Sequence, residues 1–371
     1  MRDRSEFTRR GVVAGGLAAL ASLSACRQST TVDTRDPSGA PVAMHGRTQA
    51  GIDRPDPPQQ FLGLSVHDVH DHDLAALLSR LTDIIRATTG GQDPRLGGLP
   101  PGDLTITVGL GPRLISALDP TLPGARDLPA FTREDIPDTA RGGDLMIQTC
   151  AGNPLTLTAA ETLVAHELGA PRWSQRGFRP PTGDQGLGRN LLGFLDGIEV
   201  PRTPEDVDRE VWLDAPPAVA GGTIAVVRRL RVDLPRFLAE PLDRQEAVIG
   251  RHRADGTPLT GGTTTDHVDL SAKTPDGRYV IPTTAHVRRA NPAATGSGTM
   301  LRRSYTYDNG PGDTGLLFIS YQRDLRTYTA TQHRLDQADD LLDFTTATAT
   351  ATFLVLPGPT PDRVLGHHLL A

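Results

Sequence analysis

A chain of 371 residues with a formal net charge of −6 is long enough for two ordinary domains and gives no electrostatic reason to expect nucleic acid. At 37% hydrophobic and 22% charged residues it can bury a core, which excludes a disordered chain. Cys26 and Cys150 are the only cysteines, so a cysteine-based metal centre is excluded as well.

The first element is MRDRSEFTRRGVVAGGLAALASLSAC (residues 1–26). Its basic start and short run of small apolar residues read as a signal peptide, too short to span a bilayer. Arg9-Arg10 has the form of a twin-arginine export signal. The Leu-Ser-Ala-Cys end resembles a lipoprotein box, in which Cys26 takes the lipid. The chain is therefore expected to be exported, and either lipid-anchored on the outer face of the cytoplasmic membrane or secreted. Residues 27–58, rich in Pro, Thr, Asp and Gly, read as a flexible linker, with order beginning near 45–52.

FLGLSVHDV (61–69) then reads as a strand. In residues 73–91 Leu74, Leu77, Leu78, Leu81, Ile84 and Ile85 share one helical face, with Asp73 as N-cap and Gly90-Gly91 as the stop. Strands at 104–110 and 144–151, a helix at 157–168 and a strand at 172–178 complete the order β-α-β-β-α-β. The second half repeats it more loosely. A strand at 223–234 leads to a helix at 243–253, where Asp243 and Glu246 are placed as a capping box. A strand at 315–322, a helical stretch to Leu342 and a strand at 346–358 follow. The predicted class is α+β: two ferredoxin-like halves with antiparallel sheets, residues 45–205 and 206–371.

Four segments carry candidate chemistry. HDVHDHD (67–73) groups His67, His70 and His72, but strand alternation puts His67 opposite the other two, which disfavours a metal site. GFLDG (193–197) sets Asp196 among apolar residues, where an unpaired charge is costly. TTAHVRRANP (283–292) supplies His286, and TMLRRSYTY (299–307) supplies Arg302 and Arg303. Singly these read as a turn acid, a satisfied histidine and a solvated arginine pair.

Together the last three resemble the dye-decolourising peroxidases, haem enzymes with duplicated ferredoxin-like halves. HGRTQAGI, LTITVGLGPRL, GGDLMIQTCAGNP, RWSQRGF, VVRRLRVDL, IGRHRADGTPL, GLLFISYQRDL and LLDFTTATATATFLVLPG follow in that family's order over nearly the whole mature chain. The resemblance implies one haem b per chain, held by the C-terminal half, and reduction of hydrogen peroxide with oxidation of a small aromatic or other reductant. It makes His286 the axial ligand, Asp196 the distal acid and Arg302 the distal arginine. It makes Asp343 the acid bonded to the axial histidine and Phe318 a distal-pocket aromatic, and it sets Arg288 or Arg289 on a haem propionate. A carboxylate on the far ring nitrogen raises the basicity of an axial imidazole. Peroxide needs one mobile base and one fixed cation above the iron.

The sequence departs from the family pattern at Leu195, Ile198, Glu199 and Val200, and this more apolar rim is expected to raise the pKa of Asp196. Electrons from bulky donors are expected to hop through Trp173, Trp212, Tyr305, Tyr307, Tyr321 or Tyr328. Some relatives are called deferrochelatases, so release of iron from haem for uptake is the alternative function. A non-enzymatic metal-binding lipoprotein is a weaker one. The resemblance also admits a homo-oligomer and partners that handle iron or copper.

Overall fold

The expected β-α-β-β-α-β order of the first half is present in the computed structural model, which describes residues 39–70, 73–183 and 186–370. Strands β1 (Phe61–His67), β2 (Thr105–Leu110), β3 (Leu145–Ala151) and β4 (Trp173–Phe178) lie in the order β2-β3-β1-β4, all antiparallel. Helices Leu74–Thr89 and Pro154–Leu168 pack against them through Leu77, Leu78, Leu81, Ile85, Leu157 and Val164. Asp73 caps the first helix by accepting the Ala76 N–H at 2.9 Å. β2 and β3 are buried along their whole length, and their few polar side chains are satisfied inside, Thr107 donating to Ala50 O at 2.7 Å and Gln148 to Gly51 O at 2.9 Å.

The second half holds two short strands, β5 (Gly188–Arg189) and β6 (Leu195–Asp196), which pair with each other. Its long strand β7 (Thr223–Val232) is followed by the two-residue β8 (Leu301–Arg302), then β9 (Tyr305–Asp308), β10 (Thr314–Gln322) and β11 (Thr345–Val355). The order β11-β7-β10-β9 repeats that of the first half.

The halves do not keep separate sheets. β11 pairs with β2 at Leu354↔Leu110 and Val355↔Gly109, and β9 pairs with β4 at Phe178↔Thr306. With the β7–β10 pairing, the eight long strands close into one ring. Each half has two sheet edges with unpaired N–H and C=O groups, and each edge is satisfied by an edge of the other half. Residues 37–371 are accordingly one compact unit.

One local expectation is corrected. Helix Leu242–Ile249 has no side-chain cap; it begins at Pro241, and Glu246 instead accepts His252 Nδ1–H at 2.8 Å and the Arg253 N–H at 2.9 Å to brace the following turn. The stretch 45–52, where order is expected to begin, is already packed into the core at 48–52. Gln49 is buried, donates to Val108 O and Leu356 O at 2.8 and 2.9 Å, and accepts the Val108 N–H at 2.9 Å. The signal segment and Cys26 lie outside the described residues. Among the described residues no helix is long and apolar enough to cross a membrane, and no cluster of three His, Cys, Asp or Glu could hold a metal ion. His67 is buried against Ser65, which it meets at 3.0 Å, and burial pulls its pKa down to about 4. His72 is not among the described residues.

Candidate active site

β7 and β10 turn one face toward helix Leu325–Ala338, and a cavity of about 290 Å³ opens between them. Leu230, Val232, Leu316 and Phe318 form its sheet wall, and Leu335 and Leu342 face them. Residues two apart on a strand share a face, so these apolar side chains follow from β pleating. Phe318 leans on Tyr328, with ring centroids 5.7 Å apart.

His286 begins a single helical turn, His286–Arg289, after the buried Ala285. Its Nδ1 lies 2.7 Å from Asp339 Oδ2, and the Asp339 side chain has no exposed surface. With Nδ1 engaged, Nε2 is the nitrogen left for the cavity that the ring lines. Burial pushes the imidazole pKa down, but the Asp339 charge and hydrogen bond outweigh it and hold it above the ordinary 6.5. Asp339 points inward because it sits at a break. The helix ends at Ala338, and Asp339 caps the next short turn by accepting the Leu341 N–H at 2.9 Å. Asp340 anchors the same loop through Thr284 Oγ1 at 2.8 Å and Arg244 at 2.9 Å.

Across the cavity Asp196 occupies β6. Leu191, Leu192, Phe194, Leu195 and Ile198 line the cavity with the acid, and Leu192 and Phe194 also pack into a buried cluster with Phe237, Val248 and Phe344. Gly197 takes φ +88°, a conformation that favours glycine, and its N–H donates to Asp196 Oδ1 at 2.6 Å. Arg302, on β8, reaches Asp196 Oδ1 at 3.4 Å and donates to Glu199 O at 2.8 Å. Its neighbour Arg303 points the other way and is buried, donating to Ile52 O, Pro55 O and Gln59 Oε1. The arginine pair therefore splits into one cavity cation and one structural cation. Burial pushes the Asp196 pKa up, but the Arg302 charge and the Gly197 N–H together outweigh burial and hold it below the ordinary 3.8. The apolar rim thus does not produce the raised acid expected from sequence, because the charge beside it is stronger. His286 feels both Arg302 and Asp196 through space, so the three face one volume.

Two sequence assignments are corrected. Asp343 does not touch His286; it is exposed and pairs with Arg133 at 2.5 Å. The acid on the histidine is Asp339, four residues earlier, because the helix break turns it inward and leaves Asp343 at the surface. Arg288 does not line the cavity. It donates to Leu270 O at 2.8 Å and Ile281 O at 2.9 Å and brackets the loop before His286. Arg289 likewise donates to Arg334 O at 2.8 Å. A further buried pair went unread in the sequence: Arg228 lines the cavity and donates to Glu134 Oε1 at 2.8 Å. Of the hopping candidates, Trp212, Tyr305, Tyr307, Tyr321 and Tyr328 are buried, and Trp173 is half-buried.

The donor set fits one kind of occupant. A carboxylate-backed imidazole faces an acid and a guanidinium across apolar walls, as a flat apolar ring with a central metal requires. Residues 49–179 match the N-terminal domain of the Dyp-type peroxidases, and residues 188–360 match the C-terminal one. The chain is 38% identical over 302 residues to a dye-decolorizing peroxidase of Thermobifida fusca, covering 74% of this chain and 69% of that protein. It is 30% identical over 395 residues to a deferrochelatase of Escherichia coli O157:H7, covering 92% of each. Among solved structures, a DyP-type peroxidase from Cellulomonas bogoriensis is similar with TM-score 0.83 at 35% identity, covering 90% of this chain and 99% of that one. Ferric DtpA from Streptomyces lividans is similar with TM-score 0.84 at 32% identity, covering 90% and 98%.

Proposed function

We propose, for a chain that belongs to the Dyp-type peroxidase family and is thereby a haem peroxidase, that one haem b lies between His286 and the Asp196–Arg302 pair. The observation that carries this reading is the buried His286–Asp339 hydrogen bond facing Asp196 and Arg302 across one apolar cavity. Bound haem supplies the iron at which peroxide is reduced.

His286 would hold that iron through Nε2, and Asp339 fixes the tautomer by accepting the proton on Nδ1. Asp196 takes a proton from one peroxide oxygen and returns it to the other. Its depressed pKa keeps it a carboxylate, ready to accept, at neutral and mildly acid pH. Arg302 stabilises the negative charge that builds on the departing oxygen, and as a guanidinium it does not lose its own charge. Phe318, Leu230 and Leu316 exclude water and strengthen both interactions. The reductant is a small aromatic or similar donor.

The visible spectrum of the purified, haem-loaded chain and of His286→Ala tests the assignment. Loss of the axial-histidine Soret spectrum in the variant is expected, and its retention would overturn the site. Deferrochelatase relatives match 92–94% of the chain, which favours iron release as the second reading. Demetallated porphyrin as the product, in place of oxidised donor, would establish that role. Export through the twin-arginine route and a lipid on Cys26 rest on the N-terminal sequence alone. Mass analysis of the mature N-terminus of wild type and of Cys26→Ser tests them.

A further inference from the structure

A haem held in the cavity would leave little of it for a large donor, which would then have to give up electrons at the protein surface. The chain has five tyrosines and two tryptophans from which such a contact could be built. Tyr305, Tyr307, Tyr321, Tyr328 and Trp212 are buried. A phenol that loses an electron becomes a strong acid and must release its proton. The hydroxyls of Tyr305, Tyr321 and Tyr328 donate to Gln59 O, Gln148 Oε1 and Gln332 Oε1, carbonyl oxygens that cannot keep a proton, and Tyr305 also meets the buried Cys150 Sγ at 3.7 Å. Burial also pushes these phenols, and that of Tyr307, well up. Trp173 is half-buried on β4 in the first half and does not line the cavity.

Tyr279 differs from all of these. It is 42% exposed, so bulk water can take its proton. Its ring packs under the Arg288 guanidinium at 4.5 Å, and Arg288 shares a helical turn with His286. Arg288 also donates to Leu270 O, Ile281 O and Pro282 O, which ties the Tyr279 loop to that turn. Lys273, the only lysine in the chain, has its Nζ 5.0 Å from the ring centroid and bridges to Tyr279 across a tight hairpin. The nearby Arg278 is neutralised by Asp276 at 2.6 Å, so the charge left around the ring is that of Lys273 and Arg288.

Resting on the peroxidase reading above, we propose that Tyr279 is the surface contact at which donors too large for the cavity are oxidised, and that it favours anionic aromatic donors. Reduction of one peroxide to two waters takes two electrons and two protons. Each electron leaves the Tyr279 ring toward the haem pocket through Arg288 and the His286 turn, and the phenolic proton passes to bulk water. The neutral phenoxyl radical that remains takes one electron from the donor and one proton from water. The donor departs as its one-electron oxidised radical. Lys273 and Arg288 attract an anionic donor, an attraction that salt screens.

The test uses the full haem-loaded chain, Tyr279→Phe and Tyr279→Trp, with a sulfonated anthraquinone dye. Turnover of the dye by the Phe variant is expected to fall about tenfold or more, and Trp, which is also oxidisable, to restore most of it. Wild type given peroxide without a donor is expected to form dityrosine cross-links that peptide mass spectrometry maps to Tyr279 and that the Phe variant lacks. Lys273→Ala is expected to raise KM for the dye at low salt and to leave it nearly unchanged at high salt. Dye turnover within about twofold of wild type in Tyr279→Phe, with dityrosine mapped elsewhere, overturns the proposal. Absence of any Soret change on adding peroxide to wild type overturns the peroxidase reading itself, and this proposal with it.

Discussion

At the scale of single residues the site is a set of acids whose surroundings assign them different work. Asp339 and Asp343 lie in one short segment, yet one is sealed against His286 and the other is exposed beside Arg133. Asp339→Asn is therefore expected to weaken haem affinity by about 10–100-fold, read by titration of the apo chain, and to lower the iron–histidine stretching frequency. Asp343→Asn is expected to change stability by no more than about 1 kcal/mol and the spectrum not at all. A ligating imidazole must be deprotonated, and Asp339 holds His286 above its ordinary pKa. Haem affinity should accordingly fall as pH drops through that raised value, and in Asp339→Asn the fall should begin at lower pH. Asp196 has the opposite sign. Its pKa is depressed, so its contribution to stability is present above the unfolded value and is lost as pH falls through the folded one. In the haem-loaded chain the acid bend that Asp196 puts on the stopped-flow rate with peroxide is expected to lie below the ordinary carboxylate value. Arg302→Leu leaves burial opposed only by the Gly197 N–H and the Arg179 charge, so the bend should move up in pH while the rate falls by about 10²–10³. A bend that stays put in the variant would show that Arg302 does not set this acid.

At the scale of elements the cavity depends on how closely β7 and β10 approach. Gly315, opposite Arg231, is the tight point: a Cβ there would lie 1.9 Å from Leu230 O and 2.8 Å from Tyr307 Oη. Backbone cannot swing aside as a flexible side chain can, so Gly315→Ala is expected to destabilise the fold by about 1–3 kcal/mol or more. The same change should shift Leu316 and Phe318 and loosen haem retention. Urea midpoints and haem off-rates measure the two effects. The helix break at Asp339, the tight turn at Gly197 and the alternation of Arg302 with Arg303 are equally local. Alternation along a strand was legible, since residues 302 and 303 had to point in opposite directions. The helix break was not, because Asp339, Asp340 and Asp343 offered three acids and no spacing rule to choose among them.

At the scale of the whole molecule the closed ring makes the halves interdependent. Opening either seam, β11–β2 or β9–β4, would expose edge groups in both halves. Thermal or urea unfolding followed by far-UV circular dichroism and by tryptophan emission is expected to give coincident transitions. Trp173 lies in the first half and Trp212 in the second, so two separate transitions would show that the halves unfold independently.

The amino-acid sequence by itself determined the order of elements in the first half, the α+β class, the family, and the histidine, acid and arginine that face one another, while the strand Tyr305–Asp308 of the second half was not read from it. The elements and the class follow from periodicity and capping, which are properties of neighbours along the chain, and the family and the three site residues follow from the resemblance that the motifs and their order carry. Tertiary structure alone decided that the two sheets are one ring, that Asp339 and not Asp343 backs His286, and that Arg288 braces a loop and lies over Tyr279. It also decided that Asp196 is a depressed acid. Each of these depends on which distant groups end up within a few ångströms of each other, and a carboxylate's proton affinity is set by those neighbours and not by its own place in the chain.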